Sequence, residues 1–286
     1  MTMHMLNTGH LVEMLGRFVH AINGKYVSTI EELRPAYVEA INVLRPVDLP
    51  AEPEGIRIGY EDSPWVTHCK EREIFPHIVG PASPSDKRTR QEWDRQIVEA
   101  LALIEQINPG LRRMVDLLVT DIVTLNSGAD GGGSANQMPG VVVMSPASAW
   151  LSLDYATCIV HEGLHTALFV LDSVCPMFTL PPNELERDDN RALSAVKIGE
   201  RRPLHAALHA AAVAVPLMFM EHVQGRHALI DQYSVKPVSL ASPDPLEIPC
   251  AFSFEKLPRK RSPGRGTWSP DPCDVLHHRR VGGGGR

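Results

Sequence analysis

Two imidazoles stand four residues apart in His161-Glu162-Gly163-Leu164-His165, inside the apolar run 156–171. On an α-helix, positions i and i+4 share a face one turn apart, so both rings can reach a single metal ion. Glu162 is then placed to hydrogen-bond a ligand or a bound water, or to act as base on that water. Tyr155, Cys158, Ile159, Val160, Leu164, Ala167, Leu168 and Phe169 surround the pair. A buried polar group without a partner costs about 1–3 kcal/mol, so the rings must be ligated or otherwise paired. Two core histidines bonded to backbone carbonyls are the plain alternative. The motif leaves the metal, the third ligand and the reaction open.

A stable site needs a third protein ligand, and that choice sets the class of function. Glu184 lies 19 residues beyond His165, with Asp188 one helical turn further on. Zinc peptidases of the thermolysin type take such a glutamate from the helix after the motif, with Zn-bound water as nucleophile and the motif glutamate, here Glu162, as general base. The stretch 183–190 is so polar, however, that a solvated face is its plainer reading. The other candidate is His209, set in a run of alanines that offers nothing else polar. His205 precedes it by one turn, so one ring can ligate while the other bonds substrate or a carboxylate. His222, beyond Pro216, is a weaker choice. A di-iron centre is disfavoured because no second Glu-x-x-His occurs.

Pro139-Gly140-Val141-Val142-Val143-Met144-Ser145, the histidine motif, a proline-containing linker, and Arg202-Pro203-Leu204 leading to Leu208-His209 follow one another in order. Over about residues 139–235 this arrangement resembles the HExxH-motif proteins of bacterial peptide natural-product clusters, grouped as 2-oxoglutarate-dependent HExxH-type peptide β-hydroxylases. The order and spacing of the blocks match better than their individual residues. The resemblance implies Fe(II) held by His161, His165 and His209, with 2-oxoglutarate and O2 at the remaining positions. It implies hydroxylation of an unactivated carbon, Cβ of a residue in a peptide or of a carrier-bound amino acid. An arginine normally takes the distal carboxylate of such a cosubstrate because its fork matches a carboxylate bidentately; Arg202 is the first choice and Arg201 the second, against a plain reading of helix-start arginines in solvent. Glu162 would then bond a ligand histidine or bound water and would not be a hydrolytic base. A third reading, outside catalysis, is a degenerate metal site in a protein that serves as a binding partner in a biosynthetic cluster.

The elements that must position these residues are read from periodicity. Residues 8–23 carry helical spacing that ends at Asn23-Gly24, and Ser28-Thr29-Ile30-Glu31 forms a capping box for a second helix to about residue 44. Segment 45–85 is rich in Pro, Gly and charge, with a short extended piece over 56–60, and could lie over a site. Helical spacing returns over 85–107 and, after a first-turn Pro109, over 111–125. Segment 127–140 holds five glycines and could approach a ligand closely by backbone, but it carries neither a P-loop nor a dinucleotide fingerprint and reads as a flexible connector. Val141 to Ser145 reads as a short buried strand beside the motif helix, which Ser152 or Asp154 would cap. Pro203 opens the last long helix, and Pro216 should kink or interrupt it.

The expected fold is therefore mainly α with a few short strands (α+β), the HExxH helix packed against a second ligand-bearing helix. Residues 1–135 form a helical region, 136–235 a metal-binding region compact with it, and 236–286 a Pro/Gly/Arg-rich tail without packed structure. A chain of 286 residues, 43% hydrophobic and 22% charged, is long enough to bury a full core. Its net charge of −6 argues against a general nucleic-acid binder. The cysteines at 69, 158, 175, 250 and 273 show no CxxC spacing and point to a reducing cytoplasm. No continuous apolar run near the N-terminus reads as a signal peptide, and no stretch is expected to reach the roughly 20 apolar residues of a membrane span.

Overall fold

A computed structural model describes residues 8–226 and Leu229, apart from Ser28 and Ile198. Helices α1 (Thr8–Asn23) and α2 (Ile30–Leu44) pack together through Leu11, Leu15 and Val19 on the first and Leu33, Tyr37 and Ile41 on the second, all buried. Thr29 caps α2, its hydroxyl accepting from the Glu32 amide at 3.4 Å. Ser28, expected to open that cap, lies outside the described residues. Segment 45–85 holds β1 (Arg57–Gly59), α3 (Pro64–Glu71) and α4 (Pro76–Val79). Both helices start at a proline, whose missing N–H a first turn does not use. Asn108 ends α5 (Lys87–Ile107) and caps α6 (Pro109–Leu118), accepting from the Leu111 amide at 3.0 Å.

The helix expected over 111–125 stops at Leu118. Residues beyond it form β2 (Asp121–Thr124), buried along its whole length. Two further strands, β3 (Gly131–Gly133) and β4 (Val141–Ser145), complete a sheet in the order β1-β2-β4-β3. The first three strands run parallel and β3 antiparallel. The glycine-rich segment 127–140 is thus no simple connector, because it contains an edge strand. Gly140, at φ +79°, is required where the chain enters β4: a Cβ there would meet Thr120 Oγ1 at 2.6 Å and the Leu118 carbonyl at 3.2 Å. Asp121, at the start of β2, is buried in an ion pair with Arg45 at 2.5 Å, the two side chains 3% and 1% exposed.

The longest helix, α7 (Ser152–Val174), carries the histidine motif. Neither Ser152 nor Asp154 is its N-cap; Leu151 holds that position, and its amide donates to the Asp154 carboxylate at 2.8 Å. Helices α1, α5 and α6 pack against α7 on one side and β3 and β4 touch it on another. After α8 (Pro182–Leu185), an antiparallel pair of β5 (Arg191–Leu193) and β6 (Arg201–Pro203) leads into α9 (Leu204–Val223), which packs on α7. Pro216 does not interrupt α9. A proline costs about 3 kcal/mol in an isolated helix interior, but Ala212, Val213, Leu217 and Met220 around it are buried.

Among the described residues α9 is also the one helix long and apolar enough to cross a membrane, with mean hydropathy 1.5. This corrects the expectation that no stretch would reach that length. Alanine and valine fill most of it, with Glu221 its one Asp, Glu, Lys or Arg, and 61% of that stretch is buried within the protein. The architecture is mainly α with a few short strands, the motif helix packed against the His209 helix. The tail 236–286 lies outside the described residues.

Candidate metal centre

The motif sits on α7 because three sides of that helix belong to the core. Ala156, Ile159, Val160, Leu164, Ala167 and Leu168 are buried, and Gly163 lets the helix approach α6, where a Cβ would meet Met114 Sδ at 3.3 Å. The remaining face turns His161, Glu162 and His165 toward a cavity of about 430 Å³ between α7, α9 and β3. His209, on α9, reaches the same cavity.

The three rings form a chain of contacts. His161 Nε2 and His165 Nε2 lie 3.1 Å apart, and His165 Nδ1 lies 3.3 Å from His209 Nδ1. Metal–imidazole bonds of about 2.0–2.1 Å put two neighbouring donors roughly 3 Å apart, so the first pair fits two positions on one metal ion. His209 meets the opposite edge of the His165 ring. Accordingly, no group of three His, Cys, Asp or Glu among the described residues is arranged to hold a metal ion as the side chains stand.

Burial keeps the rings neutral, the state a ligand imidazole needs. Burial first, then the charges of His161, His209 and Arg202, push His165 down to about 3. His209 falls to about 4, again by burial and then by His205, with Asp172 pulling the other way. His161 is lowered by burial although 40% of its side chain is exposed. Glu162, 6% exposed, is pushed up to about 7 by burial, against the pull of Ser134. The Ser134 hydroxyl donates to Glu162 Oε2 at 2.7 Å, while Oε1 lies 3.9 Å from His161 Nε2.

Of the candidate ligands, the structure brings His209 and not Glu184 to the pair. Glu184 does not line the cavity, and its carbonyl accepts from Asn190 Nδ2. Asp188 is fully exposed beside Arg191. Arg202, on β6, lines the cavity, and among the described residues its guanidinium makes no hydrogen bond or ion pair. Arg201 is not in the cavity; it is exposed and donates to the Arg191 carbonyl across the β5–β6 pair. His205 lines the cavity's rim, its Nε2 3.6 Å from Glu186 and its ring edge-on to Phe178. His222 is not among the lining residues, and segment 45–85 contributes none, although Phe75 packs behind Gly133.

Gly132 and Gly133 line the cavity by backbone, the reading that segment 127–140 offered beside that of a flexible connector, whereas Ser134 was not legible as a site residue. A run of glycines ahead of a buried strand is the signal that could have found it, since only a paired edge brings such a run close to a motif helix. No protein-family model matches the chain, and no curated protein matches it.

Proposed function

We propose that the chain is an Fe(II)- and 2-oxoglutarate-dependent oxygenase that hydroxylates an unactivated carbon, Cβ of a residue in a peptide or carrier-bound amino acid, in natural-product biosynthesis in the cytoplasm. The observation that carries this reading is the company His165 keeps: a third imidazole at 3.3 Å and, in the same cavity, Arg202, which has no hydrogen-bond or ion-pair partner among the described residues. His161, His165 and His209 would hold the iron only once ring rotation brings a His209 nitrogen round to the His165 edge that faces His161; the all-imidazole set would suit Fe(II) and leave coordination positions open. Iron, 2-oxoglutarate and O2 together supply the oxidising power for C–H hydroxylation.

The chain's own residues do the rest. Arg202 offers a planar fork to a carboxylate, and its charge is not claimed by any described neighbour. The apolar wall of α9 excludes water from the reacting carbon. Burial pushes the Glu162 carboxyl up to about 7 in the metal-free protein, and the Ser134 hydroxyl orients it beside His161. The same raised pKa favours a second reading, a zinc peptidase with Glu162 as general base. The glutamate ligand expected for it, Glu184, does not reach the histidines.

Anaerobically purified protein should bind one Fe(II) and, once O2 is admitted, convert 2-oxoglutarate to succinate and CO2 with a gain of one oxygen on substrate. His209→Ala should abolish both while Glu184→Ala leaves both unchanged. Zinc in place of iron, with peptide cleavage lost in Glu184→Ala, would establish the peptidase. A protein that binds metal and catalyses neither reaction would be the non-catalytic partner.

A further inference from the structure

We propose that the free edge of β3 binds an extended peptide by backbone hydrogen bonds and places one of its side chains in the cavity beside His161 and His165. Among the described residues β3 has a neighbour on one side only, β4. The Leu125 amide donates to the Met144 carbonyl at 2.8 Å, so Met144 turns its main-chain groups toward β2. Along a strand the N–H and C=O of one residue point the same way and those of the next point the other way. Val143 and Ser145 therefore bond β3, through their partners Gly133 and Gly131. Gly132, opposite Met144, directs both its N–H and its C=O away from the sheet, and it lines the cavity that holds the histidines.

A donor and an acceptor on one residue, pointing out of a strand edge, are matched by one residue of a second extended backbone, which returns both bonds. The three glycines place no side chain in the way of that approach. On the facing wall Ala206, Ala210 and Ala214 recur along α9 and leave an apolar recess. In an extended chain alternate side chains turn to one face, so a residue beside the one paired with Gly132 can turn its side chain into the recess. A cavity of about 430 Å³ admits a linear segment of one or two residues, which selects a peptide over a second folded copy of this chain.

The inference rests on the cavity being a substrate site, and its test is separable from the oxygenase assay. The probe is a pool of blocked octapeptides with a central Val, Leu or Phe among Ala and Ser, titrated into the chelator-treated full chain and followed by amide NMR. Because the contact is with backbone, the Gly132 resonance should move and saturate at millimolar peptide for every member of the pool. An ester replacing the amide that faces Gly132 should weaken binding about two- to twelve-fold, the loss of one hydrogen bond. Ala210→Phe should discriminate against the large central side chains while Gly132 still responds to an all-Ala/Ser peptide. A Gly132 resonance unmoved by any peptide, or an ester scan with no weakened member, overturns the proposal. Succinate formation with an unmoved Gly132 would retain the oxygenase and remove the docking edge; peptide binding at Gly132 without iron or succinate would do the reverse.

Discussion

Gly132→Ala should destabilise the protein through one side chain, Cys158. A Cβ on Gly132 falls 2.5 Å from Cys158 Sγ, 3.2 Å from the Val143 carbonyl and 3.6 Å from Glu162 Cγ. The first contact is well inside van der Waals distance, so either the thiol changes rotamer against the α7 backbone or β3 lifts from α7. Overpacking of this kind costs about 1–3 kcal/mol, a fall of roughly 2–4 °C in Tm for each kcal/mol in a domain of this size. Cys158→Ala removes the obstructing atom, leaving only the tight but tolerable approach to Val143. In a double-mutant cycle read by urea unfolding, Gly132→Ala should therefore cost less than about 1 kcal/mol in the Cys158→Ala background, with a coupling of about 1 kcal/mol or more. Additivity within about 0.5 kcal/mol, or a neutral Gly132→Ala, would refute the placement of β3 on α7 and with it the peptide-binding edge.

Two further outcomes follow from buried charge. Arg45→Met strands Asp121, 3% exposed, and should cost about 3–5 kcal/mol by denaturant unfolding, while Arg57→Ala, 3.5 Å from the same carboxylate and 27% exposed, should cost far less. Equal losses would show that Arg45 is not the main counter-ion. Glu162 has a folded pKa of about 7 against an ordinary 4.5. The folded metal-free protein therefore holds its proton more tightly than the unfolded chain does. That stabilisation is fully present below about pH 4.5 and is lost as pH rises through 7, a change of order 3 kcal/mol. His165 and His209, held well below the ordinary imidazole value, titrate in the opposite sense and lose stability as pH falls below about 6.5. Glu162→Gln in chelator-treated protein should therefore make stability rise more steeply with pH below about 6.5 and remove its fall toward pH 7; an unchanged slope would place the pH dependence elsewhere.

The motif helix was legible because its chemistry and its period agree: two histidines one turn apart in a run whose other positions are apolar. Pro109 was equally clear, since a missing N–H has few places to go, whereas Pro203 falls one residue before the first turn expected of it, ending β6 as the N-cap of α9. The boundary at Leu118 was not, because β2 is buried on both faces and a strand of that kind reads as a continuous apolar run that periodicity cannot separate from a buried helix. Edge strand β3 was invisible for the opposite reason. Glycine has no strand propensity, and the three residues are extended only because Val143 and Ser145 hold them in a ladder. Pro216 misled because its local cost is set against tertiary packing that only the fold displays. Within the centre, His209 was found from its isolation among alanines, whereas Ser134 depends on a strand that the sequence does not announce.

The donor set comes from two helices under very different constraint, with His165 and His209 44 positions apart. On α7 every neighbour of the histidines is committed to packing, so the motif can change little without dismantling the core. On α9 the cavity wall is mostly small, Ala206, Ala210, Val213 and Ala214, and the His209 ring meets only the His165 and Phe169 rings among the aromatic contacts of the described residues. If the site holds a metal as proposed, donor identity is thereby separated from folding: α7 fixes the place of two imidazoles within the core, and a single substitution on α9 could exchange the third imidazole for a carboxylate.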